Sequence, residues 1–150
     1  MKRTIWFDMD GTIANLYAVD NWLGKLRSYD PSPYAEAEVM LNMSLLARYL
    51  NKLQKLGYWI GIISWAAKDS NKEYDQAVAN TKRQWLATHL ASVEFDFTLI
   101  TAYGVPKELW MNTTDDILFD DNEEIRGEWS GEAYEPDKIL SVLSSLIKGE

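Results

Sequence analysis

Three short apolar runs in this chain each end on oxygen-bearing side chains, and segments of helical periodicity separate them. Ile5-Trp6-Phe7 runs into Asp8, Tyr58 to Ile63 into Ser64, and Ile117-Leu118-Phe119 into Asp120 and Asp121. Runs this short, apolar at successive positions, have no polar face and read as strands buried on both sides. Leu46, Tyr49, Leu50 and Leu53 fall at i, i+3, i+4 and i+7 ahead of Gly57, which predicts a helix from about Asn42. Ser70-Asn71-Lys72-Glu73 matches the S-x-x-E capping box and predicts a second helix to about Leu90, with Tyr74, Val78, Trp85 and Leu86 on its apolar stripe. Phe95 to Thr101 reads as a third strand and Asp115 to Phe119 as a fourth. Asn122 to Trp129 reads as a short helix, and Pro136 opens a last helix through Leu140, Leu143 and Ile147.

Strands alternating with helices predict an α/β fold: a Rossmann-like three-layer sandwich with a mostly parallel sheet, forming one domain over residues 1–150. In such sheets ligands collect beyond the carboxyl ends of the strands. Residues 13–42 depart from the pattern. Tyr17, Trp22, Leu23, Leu26 and Tyr29 lead to the Pro31-Ser32-Pro33 break, so this segment is expected to be a small cap or lid insertion.

Composition narrows the chemistry. With no cysteine and a single histidine, His89, the chain has no zinc site of the usual kind, thiol nucleophile or disulfide framework. Catalysis must therefore use carboxylates, hydroxyls and amines. The 23 acidic against 15 basic residues give a net charge of −8, which with no basic stripe argues against nucleic acid as a partner. No apolar run is long enough for a membrane span, and the opening residues turn acidic at Asp8, too soon for a signal peptide. The expectation is a cytoplasmic protein without membrane contact. No heptad seam marks an oligomer, so monomer and homodimer both stay open.

If the sheet is parallel, Asp8, Asp10, Ser64, Asp120 and Asp121 project into one crevice, with Lys107 in the loop after the third strand. Clustered carboxylates repel unless a cation or proton neutralises them. An all-oxygen donor set without His or Cys favours Mg²⁺, which takes phosphate oxygens as further ligands. Asp8 is then placed to attack phosphorus and form an aspartyl-phosphate, and Asp10, two residues on, to act as acid and base. Ser64 can donate to a phosphoryl oxygen, and Lys107 can neutralise charge on nucleophile and phosphate, with Lys68, Lys82 and Arg83 as alternative cations. Asp121 is expected to support the metal through water or to position a loop. Asp116 and Glu124 read as surface charges, and His89 as a packing partner of Trp85. Trp65, Trp22 and Tyr17 flank the motifs and could stack on a base, although most of the aromatic set reads as core.

The ordered set resembles the haloacid dehalogenase (HAD) superfamily of phosphohydrolases. Its first motif matches Asp8-Met9-Asp10-Gly11-Thr12, its second Ser64 after an apolar strand, its third Lys107, and its fourth Asp120-Asp121 after Ile117-Leu118-Phe119. The resemblance implies a HAD-like fold, Mg²⁺ dependence, Asp8 as nucleophile, Asp10 as acid/base with its backbone carbonyl on the metal, and Asp120 as a metal ligand. It also implies that Gly11, Thr12, Ser64, Trp65 and Lys107 surround the phosphate. The second half looks most like the 5′(3′)-deoxyribonucleotidases, through Ile62-Ile63-Ser64, Lys82, Trp85, Leu90 and Asp116 to Asp121, but has Trp65-Ala66 where those enzymes carry a small residue and proline. The expected function is a Mg²⁺-dependent phosphomonoesterase, a possible 5′-nucleotidase, acting on a nucleotide or other small phosphorylated metabolite. The alternatives are a polynucleotide or phosphoprotein phosphatase, or a phosphate-binding module with little turnover. A phospho-accepting switch falls behind, because Thr101-Ala102-Tyr103-Gly104 after the third strand offers no aspartate.

Overall fold

The computed structural model describes residues 3–150. In chain order the strands and α-helices are β1 (Thr4–Phe7), β2 (Ala14–Asn15), α1 (Trp22–Arg27), α2 (Ser32–Glu36), β3 (Glu38–Val39), α3 (Met43–Lys55), β4 (Trp59–Trp65), α4 (Lys72–His89), β5 (Phe97–Thr101), β6 (Ile117–Phe119), α5 (Glu123–Glu128), β7 (Glu132–Tyr134) and α6 (Ile139–Lys148). Five strands form one sheet in the order β5-β4-β1-β6-β7, and every pairing is parallel. The fold class is the α/β sandwich that the alternation of runs predicts.

The apolar runs take the inner positions because both of their faces are covered. Alternate residues of β1 point to opposite sides. Ile5 and Phe7 pack with Leu46, Leu50 and Leu53 of α3, Trp85 and Leu86 of α4, and Ile139 and Leu143 of α6. Trp6 packs on the other side with Ile63, Leu118 and Trp129. Gly61, across from Trp6 on β4, has no side chain because any Cβ there would run into the indole ring. From β1 the chain builds outward through β4 and β5 in one direction and through β6 and β7 in the other. The order therefore reverses at β1, and the carboxyl ends of β1 and β6 flank the crevice where such folds bind ligands.

Several boundaries differ from the sequence reading. The N-cap of α4 is Asn71, whose Oδ1 accepts from the Tyr74 N–H at 2.8 Å; Ser70 lies one residue too early. β7 was absent from the expected elements, being three residues long with no apolar run to announce it. Asp116 is a correction. It is fully buried where a surface charge was expected, and its carboxylate accepts from the Thr4 N–H (2.9 Å), Trp6 Nε1 (3.0 Å), the Asn112 N–H (2.8 Å) and Thr113 Oγ1 (3.0 Å). Four donors substitute for water, which is what allows the charge inside. These bonds fasten the start of β1 to the approach to β6.

The 13–42 segment is a compact insertion. β2 and β3 pair antiparallel as its stem, and Leu16 and Tyr34 pack with Ala67, Tyr74 and Val78. Two bonds tie it to α4: Tyr74 OH donates to the Asp30 carbonyl and Trp85 Nε1 to the Ala37 carbonyl, each at 2.8 Å. Helix α1 ends in a Schellman turn, with the Tyr29 N–H bonded to the Leu26 carbonyl and the Asp30 N–H to that of Lys25. Tyr29 occupies the left-handed position at φ 60°, where glycine is usual, at a cost of about 1–2 kcal/mol. No helix among the described residues is long and apolar enough to cross a membrane.

Asp116→Ala removes the acceptor for four donors at the end of the sheet opposite the crevice. We expect a loss of roughly 3 kcal/mol and a melting temperature lower by about 10 °C, measured by circular dichroism. An unchanged melting temperature would show that the latch contributes nothing.

Candidate active site

Beyond β1 the backbone turns sharply, with the N–H groups of Thr12, Ile13 and Ala14 all bonded to the Met9 carbonyl. Gly11 sits in this turn at φ 78°, and a Cβ on it would collide with the Asp121 carboxylate and the Tyr17 ring. The turn brings Asp8, Asp10 and Thr12 together. Asp8 is nearly buried, and its N–H donates to the Phe119 carbonyl at 2.9 Å, which ties it to the end of β6. Thr12 Oγ1 donates to Asp8 Oδ2 at 2.8 Å and accepts from the Asp121 N–H at 3.2 Å.

Two buried lysines organise the carboxylates. Lys107, 4% exposed at the start of a 3-10 turn, lies 2.9 Å from Asp8 Oδ1 and 2.6 Å from Asp120 Oδ2. Lys82, 1% exposed on α4, donates to Asp10 Oδ2 (2.8 Å), Ser64 Oγ (2.7 Å) and the Trp65 carbonyl (2.8 Å). All three of its N–H donors are used, and the ammonium also lies 4.9 Å from the centre of the Tyr34 ring of the insertion. Asp120 Oδ1 accepts from the Asn122 N–H at 3.0 Å, and Asn122 also caps α5.

Charge in this cluster is only partly compensated. Lys82 balances Asp10, whereas Asp8 and Asp120 share the single ammonium of Lys107 and Asp121, beside them, has no cation of its own. Burial, and next the charge of Asp8, push Asp120 up to about 6 and Asp121 up to about 7. Burial also raises Asp10, against the opposing pull of Lys82. For Lys107 burial acts downward, but the charges of Asp8 and Asp120 outweigh it and the net shift is upward. Carboxylate oxygens of Asp8, Asp120 and Asp121 all lie within 4.8 Å of one another. An all-oxygen set with more negative than positive charge fits a divalent hard cation such as Mg²⁺, which Asp8, Asp120 and Asp121 would hold.

The carboxylates open on a cavity of about 530 Å³ between the sheet end and the insertion. Asp8, Asp10, Trp65, Lys107, Asp120 and Asp121 line it, joined by Tyr17, Trp22 and Tyr29 from the insertion. Of the residues expected at the site, these six reach the cavity wall. Ser64 is fully buried behind it, its hydroxyl accepting from Lys82 and so free to aim its hydrogen elsewhere, and Gly11 and Thr12 shape the turn from beneath. Trp65 is fixed by its Nε1 bond to the Val105 carbonyl (2.7 Å), and Tyr103 packs on its ring. His89 stacks on Trp85, away from the cavity.

No family model and no curated protein sequence matches the chain. Solved structures do. The D,D-heptose 1,7-bisphosphate phosphatase of Burkholderia thailandensis superposes with a TM-score of 0.60 at 13% identity, covering 97% of this chain and 99% of that one. A protein of Mesorhizobium loti described as a HAD-like phosphatase gives 0.61 at 15% identity, covering 99% of this chain and 87% of that one. The fold is HAD-like. At such identities the likeness is one of fold, and the argument for chemistry stays with the residues.

From sequence Lys82 is an alternative to Lys107 and one of the residues of the resemblance, whereas the structure brings both lysines to the carboxylates. The signal was present: Tyr74, Val78, Lys82, Trp85 and Leu86 fall on one stripe of α4, and all five are buried. A lysine on an apolar stripe must find an anion, and Asp10 is that anion.

The raised carboxyls give a pH signature. Unfolded carboxyls titrate near 3.9, so Asp120 and Asp121 hold protons more tightly in the folded protein. Their contribution to stability is complete below about pH 4 and is lost as pH rises through 6 and 7. A divalent cation on the same oxygens competes with those protons. We therefore expect the melting-temperature gain on adding Mg²⁺ to be larger at pH 8 than at pH 5; a gain independent of pH would remove these carboxylates as ligands.

Proposed function

We propose that this protein is a Mg²⁺-dependent phosphomonoesterase that works through an aspartyl-phosphate on Asp8, with a nucleotide or another small phosphorylated metabolite as substrate. The observation that carries this reading is the Lys107 ammonium between Asp8 and Asp120 on the wall of the cavity, with Asp10 held separately by Lys82. Two carboxylates in one cleft, one paired with each lysine, are thereby given different environments. That separation is what nucleophile and acid/base roles require.

Asp8, held through Oδ1 by Lys107 and through Oδ2 by Thr12, supplies the attacking oxygen. As its bond to phosphorus forms and the ester bond breaks, Asp10 gives its proton to the leaving oxygen; burial, which raises Asp10, keeps that proton available. A water then attacks phosphorus, Asp10 takes the proton back, and the acyl-phosphate bond to Asp8 breaks. Lys107 offsets charge on Asp8 and on the phosphoryl oxygens throughout. Asp8, Asp120 and Asp121 would hold Mg²⁺ through carboxylate oxygens, as would Asp10 through its backbone carbonyl. The ion, when bound, supplies further neutralisation of the phosphoryl group.

The cavity volume is that of a small-molecule pocket, which supports a metabolite-sized phosphate ester over a polymer. Tyr17 and Trp22, edge to face at 5.0 Å, and Trp65 on the opposite wall give aromatic surface for a base, which supports the 5′-nucleotidase version.

Phosphate release from p-nitrophenyl phosphate and a panel of nucleoside monophosphates tests the reading. Asp8→Asn and Lys107→Met should each lose activity, the former by about a thousandfold or more, and chelation of Mg²⁺ should abolish it. Equal turnover by wild type and Asp8→Asn would remove Asp8 as the nucleophile. Binding of phosphate esters without release would leave a phosphate-binding module instead.

A further inference from the structure

The cavity that holds the carboxylates also has a cationic part. Arg27, the last residue of α1, lines it from the insertion, and Lys68, in the loop after β4, lines it from the core. Among the described residues neither side chain makes an ion pair or a hydrogen bond. Other lysines nearby are committed: Lys25 to Glu36, Lys82 to Asp10, and Lys107 to Asp8 and Asp120. Asp69 lies on the same wall and next to Lys68 in sequence, yet it pairs with neither cation.

A lone exposed lysine is an ordinary solvated charge. Two free cations that reach one cavity from separate segments, above a floor built for phosphate, are placed for a ligand. The carboxylates of Asp8, Asp10, Asp120 and Asp121 repel any second anion near the reacting phosphoryl group. Arg27 and Lys68, both exposed on the cavity wall, are the cations there that no carboxylate of the protein engages, and a guanidinium offers a planar fork that matches an oxyanion. Tyr29, the left-handed cap of α1, also lines the cavity, with its ring against Tyr74 at 5.6 Å.

We infer that the leaving group of the substrate bears a second oxyanion, a phosphate or a carboxylate, held by Arg27 and Lys68. This deepens the phosphomonoesterase reading and rests on it. Substrates are those phosphorylated metabolites that carry two anionic groups, only one of which reaches Asp8 at a time.

Two matched substrate pairs test it: a nucleoside 5′-monophosphate against the 3′,5′-bisphosphate, and glycerol 3-phosphate against 3-phosphoglycerate. The wild type should favour the doubly anionic member of at least one pair by about tenfold or more in kcat/KM, and which pair responds tells phosphate from carboxylate. In the Arg27→Gln, Lys68→Gln double variant that ratio should fall towards one. Lys52→Gln, an exposed charge change on α3 away from the cavity, should leave it unchanged. A ratio near one for both pairs in the wild type, or a ratio the double variant does not move, overturns the inference while the phosphatase reading stands. Should no phosphate ester be hydrolysed, that reading fails, and calorimetric binding of the same pairs decides the subsite: tighter binding of the doubly anionic member, lost in the double variant, supports it, and equal binding overturns it.

Discussion

Repulsion among clustered carboxylates is the constraint around which this molecule is arranged. Asp8, Asp10, Asp120 and Asp121 stand at the ends of two adjacent strands, two of them buried and all lining one cavity, and charges so close are not stable unless something opposes them. Lys107 and Lys82 oppose them from different directions. One arrives on a 3-10 turn after β5 and the other on the buried face of α4. The parallel sheet makes the convergence possible, because only parallel strands bring successive carboxyl ends to one edge. The remaining imbalance falls on Asp120 and Asp121, whose carboxyls are pushed up to about 6 and about 7.

The same logic explains what could be read from the chain alone. Strands β1, β4 and β6 were legible because each is an apolar run buried on both faces, and the residue after each run marks the edge of the sheet. Asp8, Asp10, Asp120 and Asp121 followed from that edge. The insertion was legible only as an irregularity, since two-residue strands and helices of five and six residues are held by tertiary contacts with α4 and have little local signal. β7 escaped for a similar reason: it is an edge strand whose pairing with β6 supplies what its own composition does not.

Asp116 and Lys82 mark the harder limit. From sequence Asp116 reads as a surface charge and Lys82 as one of several alternative cations, and both are buried because donors or acceptors from distant parts of the chain surround them. Asp116 satisfies the sheet at its amino end, remote from any chemistry. Lys82 satisfies Asp10 at the other. Position on a helix stripe separates Lys82 from an ordinary surface lysine, but nothing local to Asp116 reveals that Thr4, Trp6, Asn112 and Thr113 will meet there.

Helix α4 is the support common to both sides of the cavity. Its Tyr74 and Trp85 hold the insertion by two hydrogen bonds, and between them in sequence Lys82 holds Asp10. The wall facing the substrate and the group assigned to proton transfer are thus mounted on one rod, and their separation is set by helical rise. A chain built this way can trade one substrate for another by exchanging the side chains that project from residues 22–29, leaving the spacing between recognition and reaction untouched.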